Sequence, residues 1–449
     1  MSGRFAAERA VVVGAGIAGT GVARALSAEG ARVLVTESLP EADVPSAVEL
    51  RAIGVEVRTG GHERSHFDDA TLVVVGPGVS PDADVVRWAR ELGLPVWGEM
   101  ELGARLARMP YLAVTGTNGK TTVTAMIEAC LRADGHDALA CGNIGVSFPE
   151  AARQQREVLI VEVSSFQLAV QTSFHPTISV LLNVAPDHLD WHGSLEAYME
   201  AKGRIHALQT GSDVHIGNRD DPATAKISSR ATCLLRWFRQ GPPDEGEVGY
   251  VGDELVARVG GTHRLGAIEG ERAGYREDAA AVAAVALAYG VDAAAVAAAL
   301  AGFQTGPHRG EVVAIVDGVR FVDNSKATNV HAAAAAIDAS GDAVLIAGGR
   351  AKGVDLSPLR AHAGRLRAVV AIGEAASDVV DVFEGSVPTS LAGSIEEAVR
   401  DAFAAARPGD AVLLAPACAS WDQFTSYVER GDRFAAAARS LRAEAGARG

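Results

Sequence analysis

At 449 residues, with 48% hydrophobic and 22% charged residues, the chain has the size of about three ordinary domains and the balance of a folded globular protein. Its net charge of −15 excludes a broad nucleic-acid or anionic-membrane surface, which would need clustered Lys and Arg, but leaves room for small anionic substrates held by local glycine loops. Four widely spaced cysteines (Cys130, Cys141, Cys233, Cys418) form no CxxC pair or Cys/His run, which argues against a zinc site or disulfide framework and fits a reducing cytoplasm.

The first residues are charged and lack a long apolar core, so no signal peptide is expected. The first block then opens with an apolar strand from Ala10 into Gly14-Ala-Gly-Ile-Ala-Gly19, followed by a helical stretch to Glu29. A second strand over residues 32–36 ends at Glu37, 18 positions beyond Gly19, near the spacing of a ribose-binding carboxylate. Such a loop requires only a tight turn and close approach of a diphosphate to a helix N-terminus. NAD, FAD, a UDP-type ligand or a structural turn therefore all remain open at this point. A strand over residues 72–75 leads into Gly76-Pro77-Gly78, and the block closes near Met109-Pro110.

The second block begins with the apolar strand from Tyr111 into Gly116-Thr-Asn-Gly-Lys-Thr-Thr122, followed by a helix. Backbone N–H groups and a helix N-terminus in such a loop face phosphates, Lys120 supplies a point charge, and the Thr121 hydroxyl can reach magnesium. The generic phosphate loop has four residues between its glycines; here Thr117 and Asn118 alone separate Gly116 from Gly119. Another strand, over residues 158–162, carries Glu162 at its end, where α/β sheets present ligand-binding groups, and Thr121 with Glu162 makes a sensible oxygen set for magnesium. A buried capping carboxylate is the plainer alternative for Glu162. Residues 177–183 form a further strand, before Asp187-His188, and residues 195–208 read as a helix containing Lys202. By spacing alone His188 is a turn histidine and Lys202 a solvated helix lysine. Cys141-Gly-Asn-Ile-Gly145 is a polar turn without assignable chemistry, and residues 228–272 read as peripheral strands and loops. The low-charge stretch 279–301 is mostly alanine and interrupted by Asp292, which predicts a packed helix pair and no membrane insertion.

Gly306-Pro-His-Arg309 marks a boundary, after which residues 311–316 and 319–322 form a hairpin about Asp317-Gly318. A polar run, Asp323-Asn-Ser-Lys-Ala-Thr-Asn329, precedes an alanine-rich helix. Two more strands end in Gly348-Gly-Arg-Ala-Lys-Gly353 and in Pro416-Ala-Cys-Ala-Ser-Trp-Asp-Gln-Phe424. Strands and helices alternate throughout, which predicts an α/β protein of three domains over residues 1–109, 110–307 and 308–449.

Taken together, the Gly116–Thr121 loop, Gly142-Asn-Ile-Gly145, Glu162-Val-Ser-Ser-Phe-Gln167, Asp187-His188, Ser325-Lys-Ala-Thr-Asn329 and the Pro416–Phe424 run resemble the Mur ligase family, in the family's order and over nearly the whole chain. The last two segments resemble its branch that adds D-glutamate to UDP-N-acetylmuramoyl-L-alanine. The resemblance implies a Rossmann-like UDP-binding domain, a central P-loop ATPase-like domain, and a C-terminal Rossmann-like domain that binds the amino acid. It implies a cytoplasmic, monomeric ATP-dependent ligase of peptidoglycan precursor synthesis, acting on small molecules through an acyl phosphate.

By the same resemblance, Gly116, Thr117, Asn118, Gly119, Lys120, Thr121 and Thr122, with Asp278, Arg309 and Asn324, bind ATP. Thr121 and Glu162 hold one magnesium ion, and His188 with a carbamylated Lys202 holds a second, so that Lys120, Glu162, His188 and Lys202 carry catalysis. Gly14, Gly16, Ile17, Ala18, Gly19, Glu37, Ser38, Asn143 and His188 match the UDP-substrate site, and Lys326, Thr328, Lys352, Ser420 and Tyr427 the glutamate site. Ala18 replaces the usual threonine, Gly76 a serine and Arg350 a common aspartate, while Asp278 and Asn324 look like an exchange of an asparagine–aspartate pair. An acceptor such as L-glutamate stays open, because a pocket for two carboxylates and an amine can be built for either hand. A folylpolyglutamate-type ligase would lack the first block, a nicotinamide oxidoreductase is favoured by the first glycine loop alone, and a non-catalytic nucleotide-binding regulator would have lost Lys120 or the magnesium ligands.

Overall fold

The computed structural model describes residues 3–268, 274–304 and 306–446. The end of the predicted peripheral stretch, residues 269–272, lies outside them. Chain contacts divide the protein into two compact units, residues 1–184, 196–268 and 277–303, and residues 185–195, 269–276 and 304–449.

In the first unit, Arg9–Val13 and Leu72–Val75 are valine-rich runs whose side chains, Arg9 apart, are buried on both faces, the pattern of central parallel strands. They lie side by side in a five-stranded parallel sheet ordered Glu56–Arg58, Arg32–Thr36, Arg9–Val13, Leu72–Val75, Val96–Gly98. Strand order reverses between the two valine strands, and ligands bind at such a switch point beyond the strand ends. Gly14 and Gly76 follow those two ends.

A second sheet in this unit has nine strands. Seven run parallel, in the order Glu247–Val251, Leu234–Phe238, Val214–Asn218, Ile178–Leu181, Tyr111–Thr115, Val158–Glu162, Ala138–Gly142. Glu254–Arg258 and Thr262–Ala267 extend one edge antiparallel, as the peripheral strands expected there. The alanine-rich segment forms the two helices Tyr275–Tyr289 and Ala293–Gly302, and Ala279 to Ala286 are buried. The predicted helix over 195–208 ends earlier: Leu195–Gly203 is α-helical and Arg204–His206 a single 3₁₀ turn.

The second unit holds a six-stranded sheet ordered Glu311–Val316, Val319–Asp323, Ala411–Leu414, Ala343–Gly348, Leu366–Ile372, Thr389–Leu391. Its first pair is the predicted hairpin, and the remaining neighbours are parallel. The short segment 185–195 groups with this unit because Asp187 is bonded to Lys352 and Asn329. Among the described residues no helix is long and apolar enough to cross a membrane.

Candidate active site

At the first glycine loop, Gly14 takes a positive φ of 97° and donates its N–H to Thr36, while a Cβ on Gly19 would sit 2.0 Å from the Gly14 carbonyl. Only glycine lets the helix Ile17–Ala28 pack this closely on the turn. Glu37 Oε2 accepts the Ala15 N–H at 2.7 Å, and its Oε1 takes the Ser38 hydroxyl and the Leu39 N–H. Burial pushes the Glu37 carboxyl up, but these donors outweigh it and hold it below its ordinary range.

Beyond this loop lies a cavity of about 410 Å³, lined by Gly14, Gly16, Ile17, Ala18 and Gly19, by Asn143 and Gln167, and by Gly76 and Glu99. That is the size of a small-molecule site. Ile17 stands 81% exposed at its rim. The structure thus brings the predicted glycine-loop residues together with Asn143, whereas Glu37 reaches the loop through Ala15, Ser38 bonds Glu37, and neither lines the cavity.

Asn143 also faces the second sheet. Its Nδ2 donates to Glu162 Oε1 at 2.9 Å and its N–H to the Glu162 carbonyl. Glu162 is 1% exposed, and its Oε2 has no hydrogen-bond partner, an orphaned buried oxygen at the C-terminal end of a strand adjacent to the phosphate-loop strand. An unpaired buried carboxylate oxygen is costly, and a hard cation would satisfy it. Glu162 therefore fits a magnesium ligand, and Thr121 stands in the first turn of the helix that follows the neighbouring strand. Among the described residues there is no cluster of three His, Cys, Asp or Glu of the kind that holds a metal unaided.

The phosphate loop leaves the buried strand Tyr111–Thr115 and enters the helix Lys120–Ala133 through Gly119, whose φ is 83°. A Cβ there would lie 2.4 Å from Asp278 Oδ1, so Asp278 packs directly on the loop. Asn183 fixes the loop from the next strand end: its Oδ1 takes the Asn118 N–H at 2.8 Å and its carbonyl the Thr117 N–H. Lys120 Nζ folds back to the Gly116 and Thr117 carbonyls, each at 2.9 Å. Lys202 is not solvated as its spacing suggested. It is 1% exposed, donates to the Gly116 carbonyl at 2.7 Å, and lies over the Tyr198 ring, whose hydroxyl meets Thr117 Oγ1 at 3.0 Å. Helical spacing could not reveal this, because the loop that covers Lys202 comes from another strand. Thr121 and Thr122 sit in the helix's first turn, and Thr122 is buried.

In the second unit, the loops after three adjacent strands are knitted together. Asn324 donates its N–H to Leu414, Ala417 to Ala327, and Arg350 and Ala419 exchange backbone hydrogen bonds. The fully buried Arg430 clamps them, with its guanidinium on Ser325 Oγ, the Ser325 carbonyl and the Cys418 carbonyl. Lys326 Nζ lies 4.0 Å over the Tyr427 ring, Thr328 follows in the same loop, and Ser420 is buried in the facing one. Lys352 Nζ sits 2.5 Å from Asp187 Oδ1, and Asp187 also takes the His188 N–H. His188 and Lys352 both adopt left-handed φ, 53° and 55°, uncommon for residues with a Cβ and more frequent at functional positions. Arg309 follows His308, whose ring is bonded to Asp323 at 2.7 Å.

Sequence reasoning missed Glu99, Gln167 as a cavity residue, and the Arg430 clamp. An acid in the first turn of a helix is ordinary dipole chemistry, so Glu99 carried no signal.

Three family models match the chain: the Mur ligase MurD-like N-terminal domain over residues 8–98, the Mur ligase middle domain over 114–238, and the Mur ligase glutamate ligase domain over 308–418. Similar proteins include a UDP-N-acetylmuramoylalanine–D-glutamate ligase of Frankia casuarinae, 44% identical over 96% of this chain and 93% of its own. One of the same description from Mycolicibacterium smegmatis is 39% identical, with 96% of each chain covered. Among solved structures, the UDP-N-acetylmuramate-alanine ligase of Thermotoga maritima superposes with a TM-score of 0.61 at 18% identity, covering 96% of this chain and 99% of its own. That likeness speaks for the fold.

Proposed function

The chain belongs to the Mur ligase family, and on that premise we propose that it joins D-glutamate to the alanyl carboxylate of UDP-N-acetylmuramoyl-L-alanine, cleaving ATP to ADP and phosphate. The observation that carries this reading is the double placement of Asn143, which lines the glycine-loop cavity and bonds Glu162 beside the phosphate loop. A nucleotide-sugar whose diphosphate rests on Gly14 to Gly19 would extend toward the ATP γ-phosphate along that side chain. The relatives named for D-glutamate support the choice of amino acid.

A carboxylate is a poor electrophile. Its oxygen attacks the γ-phosphorus, the bond to ADP breaks, and the resulting acyl phosphate carries a good leaving group. The amine nitrogen of glutamate then attacks the acyl carbon; the tetrahedral intermediate loses phosphate and a proton to give the amide. Several anions must be held together for this, so the chain's contribution is chiefly electrostatic.

In this reading Lys120 leaves its own loop carbonyls for the ATP phosphates, Gly116 to Thr122 donate backbone N–H groups, and Asp278, Arg309 and Asn324 hold the remaining parts of ATP. Thr121 and Glu162 would hold one magnesium ion, and His188 with a carbamylated Lys202 a second. Bound metal supplies charge neutralisation at the transferring phosphoryl group. A carbamate at Lys202 would offer anionic oxygens where an ammonium would repel a cation. Glu37 and Ser38 complete the UDP end. Lys326, Thr328, Lys352, Ser420 and Tyr427 bind glutamate, with Lys352 exchanging Asp187 for a substrate carboxylate. Domain limits at residues 1–109, 110–307 and 308–449, a cytoplasmic location and a monomeric state complete the proposal.

The test is phosphate release from ATP and magnesium with the nucleotide-sugar and D-glutamate, omitting each in turn, with L-glutamate in parallel and Lys120→Ala as control. Turnover that needs all components and D-glutamate supports the reading, while turnover with L-glutamate alone overturns its amino-acid half.

A further inference from the structure

The cavity that the proposed function assigns to the nucleotide-sugar contains a carboxyl group with no role in that account. Glu99 begins the helix Glu99–Leu106, lines the cavity, and is 2% exposed. Its Oε2 accepts Gln167 Nε2 at 3.1 Å, whereas Oε1 has no hydrogen-bond partner. The orientation of Gln167 is fixed from behind: its Oε1 takes both the Ser164 N–H at 2.8 Å and the Ser164 hydroxyl at 2.9 Å in a capping box. Nε2 must therefore point at Glu99, which makes Glu99 Oε2 an acceptor and leaves Oε1 to carry any proton.

Among the described residues lining this cavity, Glu99 alone is ionisable. A diphosphate there would meet backbone N–H groups but no basic side chain, and a buried carboxylate beside it would repel it. From neighbouring elements Glu150 and Cys141 face Glu99, and neither supplies a positive charge. Burial pushes the Glu99 carboxyl up to about 7, with Glu150 adding to the rise and the Gln167 and Phe148 N–H groups opposing it. An added dianion would push it further, so the neutral acid is the form compatible with a loaded cavity.

We propose that Glu99 is a substrate-binding residue, whose Oε1–H donates a hydrogen bond to a carbonyl or hydroxyl oxygen in the N-acetylmuramoyl portion of the nucleotide-sugar. The sugar portion is chosen over the diphosphate because Glu99 is bonded to Gln167, whereas the diphosphate belongs on the Gly14–Gly19 turn at the N-terminus of the helix Ile17–Ala28. The inference rests on the proposed function of this cavity.

The test compares wild type, Glu99→Gln and Glu99→Met by calorimetric binding of UDP-N-acetylmuramoyl-L-alanine, of UDP alone, and of ATP, with melting curves for each. A glutamine reproduces the neutral acid, one acceptor and one outward donor, so Glu99→Gln should bind the nucleotide-sugar within about threefold of wild type, and Glu99→Met roughly tenfold more weakly. ATP should bind all three alike, and UDP should bind the variants no more weakly than wild type. Wild type should also take up protons on binding the nucleotide-sugar at pH 7.5, measured in buffers of different ionisation enthalpy, and Glu99→Gln should take up fewer. This readout serves if Glu99→Met fails to fold. Equal binding by Glu99→Met and wild type, equal weakening by both variants, weakening that extends to UDP, or the same proton uptake in wild type and Glu99→Gln would each overturn the proposal. Failure of wild type to bind the nucleotide-sugar would instead remove the cavity's assignment, and the proposal with it.

Discussion

Lys120 and Lys202 donate to the same oxygen. The Gly116 carbonyl accepts Lys120 Nζ at 2.9 Å and Lys202 Nζ at 2.7 Å, although one lysine opens the phosphate-loop helix and the other comes from the helix Leu195–Gly203. Two ammonium groups converging on one dipole repel each other, and that repulsion is relieved when a polyanion arrives or when one charge is converted to a carbamate.

Removing one of these cations should separate catalysis from stability. Lys202→Met conserves volume and ends the repulsion, so its melting temperature should equal or exceed that of wild type, while ligation falls by roughly a hundredfold or more. Thermal melts beside steady-state kinetics check both halves; a large drop in melting temperature with activity retained would contradict the account.

Glu162→Gln makes a similar separation at the metal. The glutamine oxygen can still accept from Asn143, and the orphaned Oε2 becomes a neutral group, so folding should be unimpaired. The magnesium concentration giving half-maximal activity should rise about tenfold or more, as a metal titration of initial rates would reveal.

Gly119→Ala should damage ATP binding with little effect on the nucleotide-sugar. The added methyl meets Asp278 Oδ1 and must adopt a positive φ, at a cost of about 1–2 kcal/mol in backbone strain alone. Calorimetry should show ATP affinity down by at least tenfold and the nucleotide-sugar affinity unchanged.

The contribution of two buried carboxyls to stability should fall as pH rises from about 4.5 to about 7, against an opposite contribution from His62, His66, His206 and His215, whose burial holds them below the ordinary histidine range. Glu99 and Glu277 both have folded carboxyls pushed up to about 7, chiefly by burial, so between those pH values the folded state holds protons that the unfolded chain has released. The slope is negative where the folded state binds more protons, and it flattens above about pH 7. Glu101 does not contribute in this window: burial raises it, but the Thr172 and Ser173 donors outweigh that and hold it at about 2. Glu99→Gln should remove part of the decline, leaving the part due to Glu277, and denaturant unfolding at pH 5 and 7.5 measures the difference.

The sequence displayed the frame of the fold because its strands are apolar runs that end in glycine or a polar residue at the sheet edge, as at Val13-Gly14 and Val161-Glu162. Residues carried by a motif were therefore visible. Glu99 was not, since an acid in a helix's first turn looks the same whether it faces solvent or a cavity. Neither was the burial of Lys202, nor the bond from Lys352 to Asp187 across 165 positions, because both depend on which distant strand end closes over them. The helix around Lys202 also stopped short at Gly203, a residue whose lack of a side chain weakens a helix but does not announce its end.

The most direct measurement follows oxygen-18 placed in the alanyl carboxylate of UDP-N-acetylmuramoyl-L-alanine through a turnover with ATP, magnesium and D-glutamate. If the carboxylate is phosphorylated and the amine then displaces phosphate, each released phosphate carries one labelled oxygen and the new amide keeps the other. Unlabelled phosphate released during amide formation would contradict the acyl-phosphate route.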